Sequence, residues 1–167
     1  MTIKTQAELL AQAVRLASGN AEAGQLPFGA LVVRDGTVLA TGVNTALRDV
    51  DPTAHAEVEA IRAACRALDV QHLTGATIVS SCEPCAICHV VAASVGIVRI
   101  LYAARKEDLP ELGSSDPHLV DVARSLQSTM RSTFPDQIVH TPTPGALEPF
   151  DRYLRYLSGP AAPAGQQ

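Results

Sequence analysis

The stretch "ATIVSSCEPCAICHVVAASVGIVRILYAA", residues 76–104, contains two apolar runs separated by a segment that begins at Pro84. The runs at 76–81 and 98–104 have the β-branched, apolar composition of buried strands. Proline suits the first turn of a helix, so Pro84 predicts a helix that reaches about Val95. A strand, a helix and a second strand at this spacing predict two parallel strands joined by a right-handed crossover.

Three further strands are predicted outside this unit. The stretch "ALVVRDGTVLATGVN", residues 30–44, contains two β-rich runs joined at Asp35-Gly36, a dipeptide that favours a two-residue hairpin turn. A short strand is expected near residues 138–139. The hairpin is antiparallel and the first unit is parallel, so the sequence predicts a five-stranded mixed sheet.

Apolar positions recur at helical spacing in four other segments. These predicted helices cover residues 5–18, 53–68, 118–130 and 147–157. Pro52 suits the first turn of the second helix, with Asp51 before it as the N-cap. Polar loops are predicted at 45–52 and 104–117. Helices on both faces of a mixed sheet indicate the α/β class and a three-layer α/β/α domain.

The length and composition suit a single globular domain. The chain has 167 residues, and we expect the domain to cover 1–157 and the last residues, 158–167, to form a disordered tail. No apolar run of about 18 residues and no cationic leader are present, which favours a cytoplasmic protein without a membrane partner. The net charge is −4 and no stretch is rich in Lys or Arg, which argues against a nucleic-acid partner.

Three cysteines lie within seven residues of one another at the start of the central helix. In a reducing compartment, clustered cysteines favour a metal site or catalysis over a disulfide. Cys85 and Cys88 lie on the first turn after Pro84, on one face and near the positive end of the helix dipole, which favours the thiolate form. Cys82 precedes Pro84 and is expected to be a buried thiol at the strand end. A lone C-x-x-C also fits a redox pair or a structural zinc site.

His55 is the best third ligand in the sequence, because it also lies near a predicted helix start. Two helix starts that converge would supply His55, Cys85 and Cys88 to one zinc ion per chain and leave its fourth position for water. Three protein ligands are typical of catalytic zinc, whereas four are typical of structural zinc. Zinc lowers the pKa of water, and Glu57, two residues beyond His55, would transfer the proton to a substrate.

The pattern His55-Ala56-Glu57 followed by Pro84-Cys85-x-x-Cys88 resembles the zinc motif of the cytidine deaminase superfamily. The fuller resemblance is to the small bacterial guanine deaminases, through "PFGA", "DPTAHAEV", "SCEPC" and "YAA". It covers residues 5–116 closely and the last helix loosely. It implies a cytidine-deaminase-like fold and a hydrolytic deaminase that releases ammonia from an amino-substituted nucleobase.

The resemblance also implies roles for residues outside the zinc motif. Asn44 matches a base-contacting asparagine, and Phe28 matches a phenylalanine of the pocket. Asp116 matches an aspartate that recognises the base and carries protons, although it could also cap the next helix. In the family a C-terminal segment closes the pocket, often by exchange between the subunits of a homodimer. The substrate-binding residues predicted in this way are Phe28, Asn44, Ala56, His89, Ser94, Asp116, Tyr153 and Tyr156.

Two residues of the cysteine helix depart from the guanine deaminase pattern. Ser94 stands where those enzymes usually carry an aromatic residue, and His89 stands where a small apolar residue is usual. The substrate predicted first is guanine or a close analogue, in base salvage or clearance. Cytosine, isoguanine or an s-triazine such as ammeline is the alternative, followed by adenosine in tRNA. A non-catalytic zinc scaffold is a further alternative, against which Glu57 argues.

Overall fold

The computed structural model describes residues 3–112, 117–133 and 136–159. Five strands form one sheet: β1 (Gly29–Arg34), β2 (Thr37–Val43), β3 (Thr77–Cys82), β4 (Arg99–Ala104) and β5 (Ile138–His140). The helices are α1 (Gln6–Glu22), α2 (Ala46–Asp49), α3 (Ala56–Leu68), α4 (Ala86–Ser94), α5 (Pro117–Thr133) and α6 (Glu148–Leu157), with a 3₁₀ turn at Lys106–Asp108. In the described parts of the chain, no helix has both the length and the apolar character needed to cross a membrane.

The sheet is mixed, in the order β2-β1-β3-β4-β5. β1 is antiparallel to both β2 and β3, whereas β3, β4 and β5 are parallel to one another. Asp35 and Gly36 join β1 to β2 with φ values of 50° and 71°, the two left-handed positions that a tight hairpin turn requires. These observations confirm the predicted hairpin, the parallel pair and the five-stranded mixed sheet.

Each face of the sheet carries its own apolar core, because side chains alternate along each strand. Ala30, Val32, Ile78 and Ile100 face α3 and α4, where they pack with Ala60, Ile61, Ala64 and Ala92. Leu31, Val33, Val79 and Leu101 face the other way and pack on α1 through Leu9, Leu10, Ala13 and Val14. α6 lies against α1 on this second face. The predicted three-layer arrangement is therefore confirmed.

Helix α3 rests on strand β2 without an intervening side chain. A Cβ atom added at Gly42 would lie 2.3 Å from the carbonyl oxygen of Ala56 and 2.3 Å from the backbone nitrogen of Ala60. Such distances are far below van der Waals contact, so only glycine allows this approach. The position of α3, and of the residues at its start, is therefore set by backbone contact with the sheet.

Two helices begin later than the sequence predicted. The helix expected to include Pro52 begins at Ala56, with His55 as its N-cap. The reason is local: Asp51 Oδ1 accepts hydrogen bonds from the Thr53 backbone N–H at 2.8 Å and from its hydroxyl at 2.7 Å, which stabilises a turn instead of a helix. The helix expected at Pro84 likewise begins at Ala86, with Cys85 as its N-cap.

The other differences concern the end of α1, one loop and the C-terminal tail. α1 continues four residues past the predicted end at Ser18, to Glu22. The loop predicted at 45–52 contains the short helix α2. Of the predicted disordered tail, only Ser158 and Gly159 belong to the described residues, and 160–167 lie outside them.

Candidate active site

The N-termini of α3 and α4 bring three side chains with metal-binding atoms together. His55 and Cys85 are the N-cap residues of the two helices, both with extended backbone, and Cys88 lies one turn into α4. His55 Nδ1 is 3.3 Å from Cys85 Sγ and 3.5 Å from Cys88 Sγ. The two sulfur atoms are 3.6 Å apart. The predicted ligand set thus forms one compact cluster from residues 30 and 33 positions apart in the chain.

The spacing of these three atoms fits tetrahedral zinc. Bonds of about 2.3 Å to sulfur and about 2.0 Å to nitrogen, at tetrahedral angles, separate ligand atoms by about 3.5–3.8 Å. The observed separations of 3.3–3.6 Å are within about 0.3 Å of those values. Two thiolates and an imidazole are ligands that zinc prefers. With only three protein ligands, the fourth zinc position would be open to water or substrate.

The three side chains also influence one another's protonation. The hydrogen bond with Cys88, and after it the hydrogen bond with His55, lowers the pKa of Cys85 although burial opposes this shift. The hydrogen bond with Cys85 raises the pKa of His55. Cys85 is therefore held as a thiolate, the form that binds metal.

Glu57 lies in the first turn of α3, directly beside the cluster, and is only 5% exposed. Its Oε2 is 3.2 Å from Cys88 Sγ, and its Oε1 accepts a hydrogen bond of 2.6 Å from the Ser80 hydroxyl. Burial raises the pKa of Glu57, while the hydrogen bond from Ser80 works in the opposite direction. A buried carboxyl with a raised pKa next to a metal site is suited to accept and release protons.

Cys82 belongs to the apolar interior rather than to the ligand cluster. It is 2% exposed and packs with Ala104 and Phe150. Burial raises the pKa of its thiol well above the ordinary value, so the side chain stays neutral. A neutral thiol among apolar neighbours is a packing residue.

Glu83, between Cys82 and Pro84, ties the cysteine loop to α5. Its carboxylate, fully buried, accepts two hydrogen bonds of 2.6 Å from Arg131 and one of 3.0 Å from Gln127. Gln127 also donates to the carbonyl oxygen of Pro84, at 2.9 Å. Burial opposes ionisation, but the bonds from Arg131 and Gln127 outweigh it and lower the pKa of Glu83. The segment immediately before Cys85 is therefore fixed by an ionised, fully bonded carboxylate.

Phe28 and Asn44, two of the predicted substrate-binding residues, lie on neighbouring segments. The Asn44 N–H donates to the Phe28 carbonyl at 3.1 Å, and Asn20 donates to the carbonyls of both Leu26 and Asn44 at 2.8 Å. The Asn44 side chain is 3% exposed, and its Oδ1 accepts the N–H of Ala46 at 3.1 Å. These contacts fix the Asn44 amide and leave its NH₂ group without a donor contact to any described residue.

Three further predicted substrate-binding residues, Ala56, His89 and Ser94, lie in the core, beside a small cavity and at a helix end, respectively. Ala56 is fully buried in the core between α3 and the sheet, so only its backbone could meet a base. His89 is 4% exposed and lines a small apolar cavity with Ile97 and Ile100. Ser94 is exposed at the end of α4, about 9 Å along the helix axis from Cys88, and its hydroxyl donates to the Val91 carbonyl at 2.7 Å.

The tyrosines of α6 pack within the chain itself. Tyr153 is 3% exposed, and its ring stacks on that of Tyr156 with centroids 6.5 Å apart. The Tyr156 ring lies against Gly24, just beyond α1. On the same helix, Phe150 packs its ring on Phe28, with centroids 5.6 Å apart. The roles of Tyr153 and Tyr156 in binding stay predictions, and Asp116 lies outside the described residues.

The sequence reasoning missed Ser80 as a neighbour of Glu57 and Arg131 as a partner of Glu83. A partial signal for Ser80 was present, because two adjacent serines, Ser80 and Ser81, lie in a strand that is buried from Ile78 to Cys82. For Arg131 the sequence offers no comparable signal, since it lies 48 residues from Glu83 on a largely exposed helix.

Comparisons with known proteins agree with this site. Residues 3–104, well over half of the chain, match the family described as the cytidine and deoxycytidylate deaminase zinc-binding region. Guanine deaminase of Bacillus subtilis strain 168 is 42% identical over 108 residues, which are 64% of this chain and 69% of that protein. A tRNA-specific adenosine deaminase of Aquifex aeolicus is 35% identical over 92 residues, which are 55% of this chain and 61% of that protein.

A solved structure of Bacillus subtilis guanine deaminase has the same fold. It superposes with a TM-score of 0.61 at 29% identity, covering 75% of this chain and 95% of that structure. The matched family segment contains His55, Glu57, Cys85 and Cys88, the residues that the structure brings together. The chain therefore belongs to the cytidine and deoxycytidylate deaminase family and is a zinc-dependent hydrolytic deaminase.

Proposed function

We propose that the chain deaminates a free amino-substituted nucleobase, guanine or a close analogue, with release of ammonia and formation of an oxo product. The observation that carries this proposal is the buried Glu57 carboxylate, whose Oε2 lies 3.2 Å from a sulfur atom of the ligand cluster. A structural zinc site needs no such group, because it has no proton to transfer. A hydrolytic deaminase needs one, because it must protonate the ring and the leaving amine.

The residues around the cluster suit this reaction. Zinc, when bound, supplies a Lewis acid that activates water for attack on the carbon bearing the amino group. Glu57 would take one proton of that water at Oε2 and deliver it to the ring nitrogen. It would then carry the second proton of the water to the amino group, which departs as ammonia. Backbone N–H groups at the start of α4 face the same region and would stabilise negative charge that develops there.

Phe28 and Asn44, which lie on neighbouring segments, suit a flat aromatic substrate. Phe28 offers an apolar ring that packs edge-to-face with Phe150. Asn44 offers an amide group that is buried and fixed in orientation, which suits hydrogen bonding to the edge of a base. The 42% identity to a guanine deaminase supports guanine as the first candidate.

Other substrates remain part of the proposal as ranked alternatives. Cytosine, isoguanine and ammeline carry the same amino-substituted ring and would use the same proton transfer. Adenosine in tRNA is supported by the 35% identity to a tRNA-specific adenosine deaminase. The net charge of −4 argues against it, since affinity for nucleic acid rests mainly on Lys and Arg contacts with phosphates.

A homodimer is also part of this proposal. Apolar side chains remain exposed on α4 and α5, among them Val90 at 59%, Leu126 at 48% and Val122 at 43%. Exposed apolar residues concentrated on adjacent helices suit a subunit interface. In the single chain α6 packs on its own α1, and sedimentation of the purified protein would give the number of subunits.

The decisive test measures ammonia release by the zinc-loaded protein from guanine, isoguanine, cytosine, ammeline, guanosine and an adenosine-containing tRNA stem-loop. We expect turnover of one or more free bases, with guanine turned over fastest. Glu57→Gln should keep one zinc per chain and lose turnover by about 10²–10⁴-fold, because the proton carrier is gone. Unchanged turnover in Glu57→Gln would contradict the mechanism, and turnover of the tRNA alone would reverse the substrate ranking.

A further inference from the structure

Two adjacent serines of β3 have different partners. Ser80 is 1% exposed, and its hydroxyl donates to Glu57 Oε1 at 2.6 Å. Ser81 is fully buried on the opposite face of the strand, and its hydroxyl accepts the backbone N–H of Gly29 at 3.0 Å. One serine therefore contacts the proton carrier of the proposed reaction, whereas the other bonds to the backbone of the neighbouring strand β1.

The bond from Ser80 makes the two carboxylate oxygens of Glu57 unequal. Oε1 is occupied by the serine hydroxyl, on the side of the sheet. Oε2 points to the ligand cluster, 3.2 Å from Cys88 Sγ. A carboxylate that is held at one oxygen presents the other in a fixed direction.

The part of β3 that carries Ser80 is held rigidly by its two neighbouring strands. Ser80 lies in a central part of the sheet, where β3 pairs with β1 at Ala30 and with β4 at Tyr102. Strands bonded on both sides hold a side chain more precisely than loops do. Glu57 itself lies on a helix whose backbone rests on β2 at Gly42. Both partners of the bond are thus fixed by the sheet.

We propose that Ser80 is a positioning residue that holds Glu57 Oε1 so that Oε2 exchanges protons with the substrate. The inference rests on the proposed function, in which Glu57 is the proton carrier. Without the hydroxyl, Oε1 is a buried acceptor that lacks its donor, and the carboxylate turns toward another one. A shift of about 1 Å in a catalytic group can lower a rate by about 10²-fold.

The test compares three zinc-loaded variants with the wild type. Ser80→Ala removes the hydroxyl that contacts Glu57, and Ser80→Thr restores a hydroxyl at the same position. Ser81→Ala is the matched control, because it removes an equally buried hydroxyl from the next residue of the same strand. The measurements are zinc per chain, kcat and KM for the base that the wild type turns over fastest, and a crystal structure of each zinc-loaded variant.

We expect Ser80→Ala to keep one zinc per chain and to lower kcat by about 10–100-fold, with KM changed less than threefold. Its crystal structure should show the Glu57 carboxylate rotated away from the position it has in the wild type. Ser80→Thr should regain most of kcat, and Ser81→Ala should keep both kcat and the orientation of Glu57.

Three results would overturn the inference. The first is a Ser80→Ala variant that keeps both the wild-type kcat and the wild-type orientation of Glu57. The second is loss of zinc from Ser80→Ala. The third is a Ser81→Ala variant whose kcat falls as much as that of Ser80→Ala. The crystallographic comparison decides the question even if none of the bases is turned over. Glu57→Gln, measured alongside, separates the two proposals. Full activity of Glu57→Gln refutes the proposed function. If Glu57→Gln loses activity but Ser80→Ala keeps it, only the role of Ser80 is refuted.

Discussion

The start of α1 and the starts of α3 and α4 are built differently. At α1, the Thr5 hydroxyl accepts the Glu8 N–H at 3.3 Å and Glu8 Oε2 accepts the Thr5 N–H at 2.7 Å, a complete capping box. At α3 and α4 the N-cap residues are His55 and Cys85, and neither side chain caps its helix. The two helices that carry the metal ligands therefore begin without the side-chain capping that stabilises the start of α1.

Contacts with other parts of the chain stabilise the two uncapped helix starts. Before α3, Asp51 closes a turn on Thr53. Before α4, Glu83 is bound by Arg131 from α5 and by the Lys106 N–H at 3.3 Å. The N-cap side chains are thus free for metal because neighbouring residues hold the backbone. Three substitutions test this difference, from the largest expected effect to the smallest.

Cys85→Ser should have the largest effect, because it replaces a ligand by a favourable N-cap residue. Activity should fall by about 10³-fold or more, since the hydrolytic nucleophile depends on zinc. With a chelator present, the variant should be more stable than the wild type by about 0.5–1 kcal/mol, because serine caps the helix. Zinc content, turnover and urea unfolding with and without chelator measure these effects.

Cys82→Ser is the matched control for that substitution. It changes a buried cysteine three residues away that packs with Phe150 and Ala104. We expect it to keep one zinc per chain while losing about 1–2 kcal/mol of unfolding free energy, because a hydroxyl enters an apolar site. Loss of zinc from Cys82→Ser, or retention of zinc by Cys85→Ser, would show that the ligand set is wrong.

Arg131→Met should have an intermediate effect, on stability alone. It removes two hydrogen bonds from the Glu83 side chain, which is 0% exposed, and leaves the bond from Gln127. The expected loss is about 1–2 kcal/mol, less than for a fully buried pair because Arg131 is 46% exposed. Urea unfolding of the zinc-loaded protein measures it.

Arg124→Met provides the control on the same helix. Arg124 pairs with Asp121, and both side chains are more than 70% exposed. Exposed pairs contribute little, so the change should stay within about 0.5 kcal/mol. If Arg131→Met and Arg124→Met lower the free energy of unfolding equally, Glu83 does not anchor the start of α4.

Thr5→Ala should have the smallest effect and none on catalysis. It removes one half of the capping box of α1, which should lower the free energy of unfolding by about 1 kcal/mol. The kcat should be unchanged, because α1 lies on the face of the sheet opposite α3 and α4. A fall in kcat, measured at a temperature where the variant is fully folded, would show that the two kinds of helix start are coupled.

The parts of the fold that follow from local pattern were predictable. Asp35-Gly36 predicted the hairpin, and the two apolar runs around Pro84 predicted the parallel pair. The starts of α3 and α4 were misplaced for two different reasons. Asp51 bonds to Thr53 and forms a turn that competes with the helix, and Glu83 is held by Arg131, a residue distant in the chain. The length of α1 was underestimated because tertiary contacts stabilise its last turn, where Asn20 and Ala21 are buried and Asn20 donates to the Asn44 carbonyl.

The candidate site was predictable to the extent that its chemistry restricts residue type and spacing. Zinc requires ligands such as His55, Cys85 and Cys88, and hydrolysis requires a carboxylate such as Glu57. The bond from Ser80 joins residues 23 positions apart and depends on which face of β3 meets α3. Such register information comes only from the assembled sheet.

The contact between α3 and β2 at Gly42 bears on how this enzyme could acquire a new specificity. His55 and Glu57 follow the backbone of α3, and Asn44 comes two residues after Gly42, directly beyond the end of β2. The groups proposed to transfer protons and to recognise the base are therefore held on one rigid unit. Laboratory evolution toward other bases should therefore succeed by exchanging side chains at positions such as 28 and 44. Libraries that enlarge residues 42, 56 or 60 should yield mostly inactive protein.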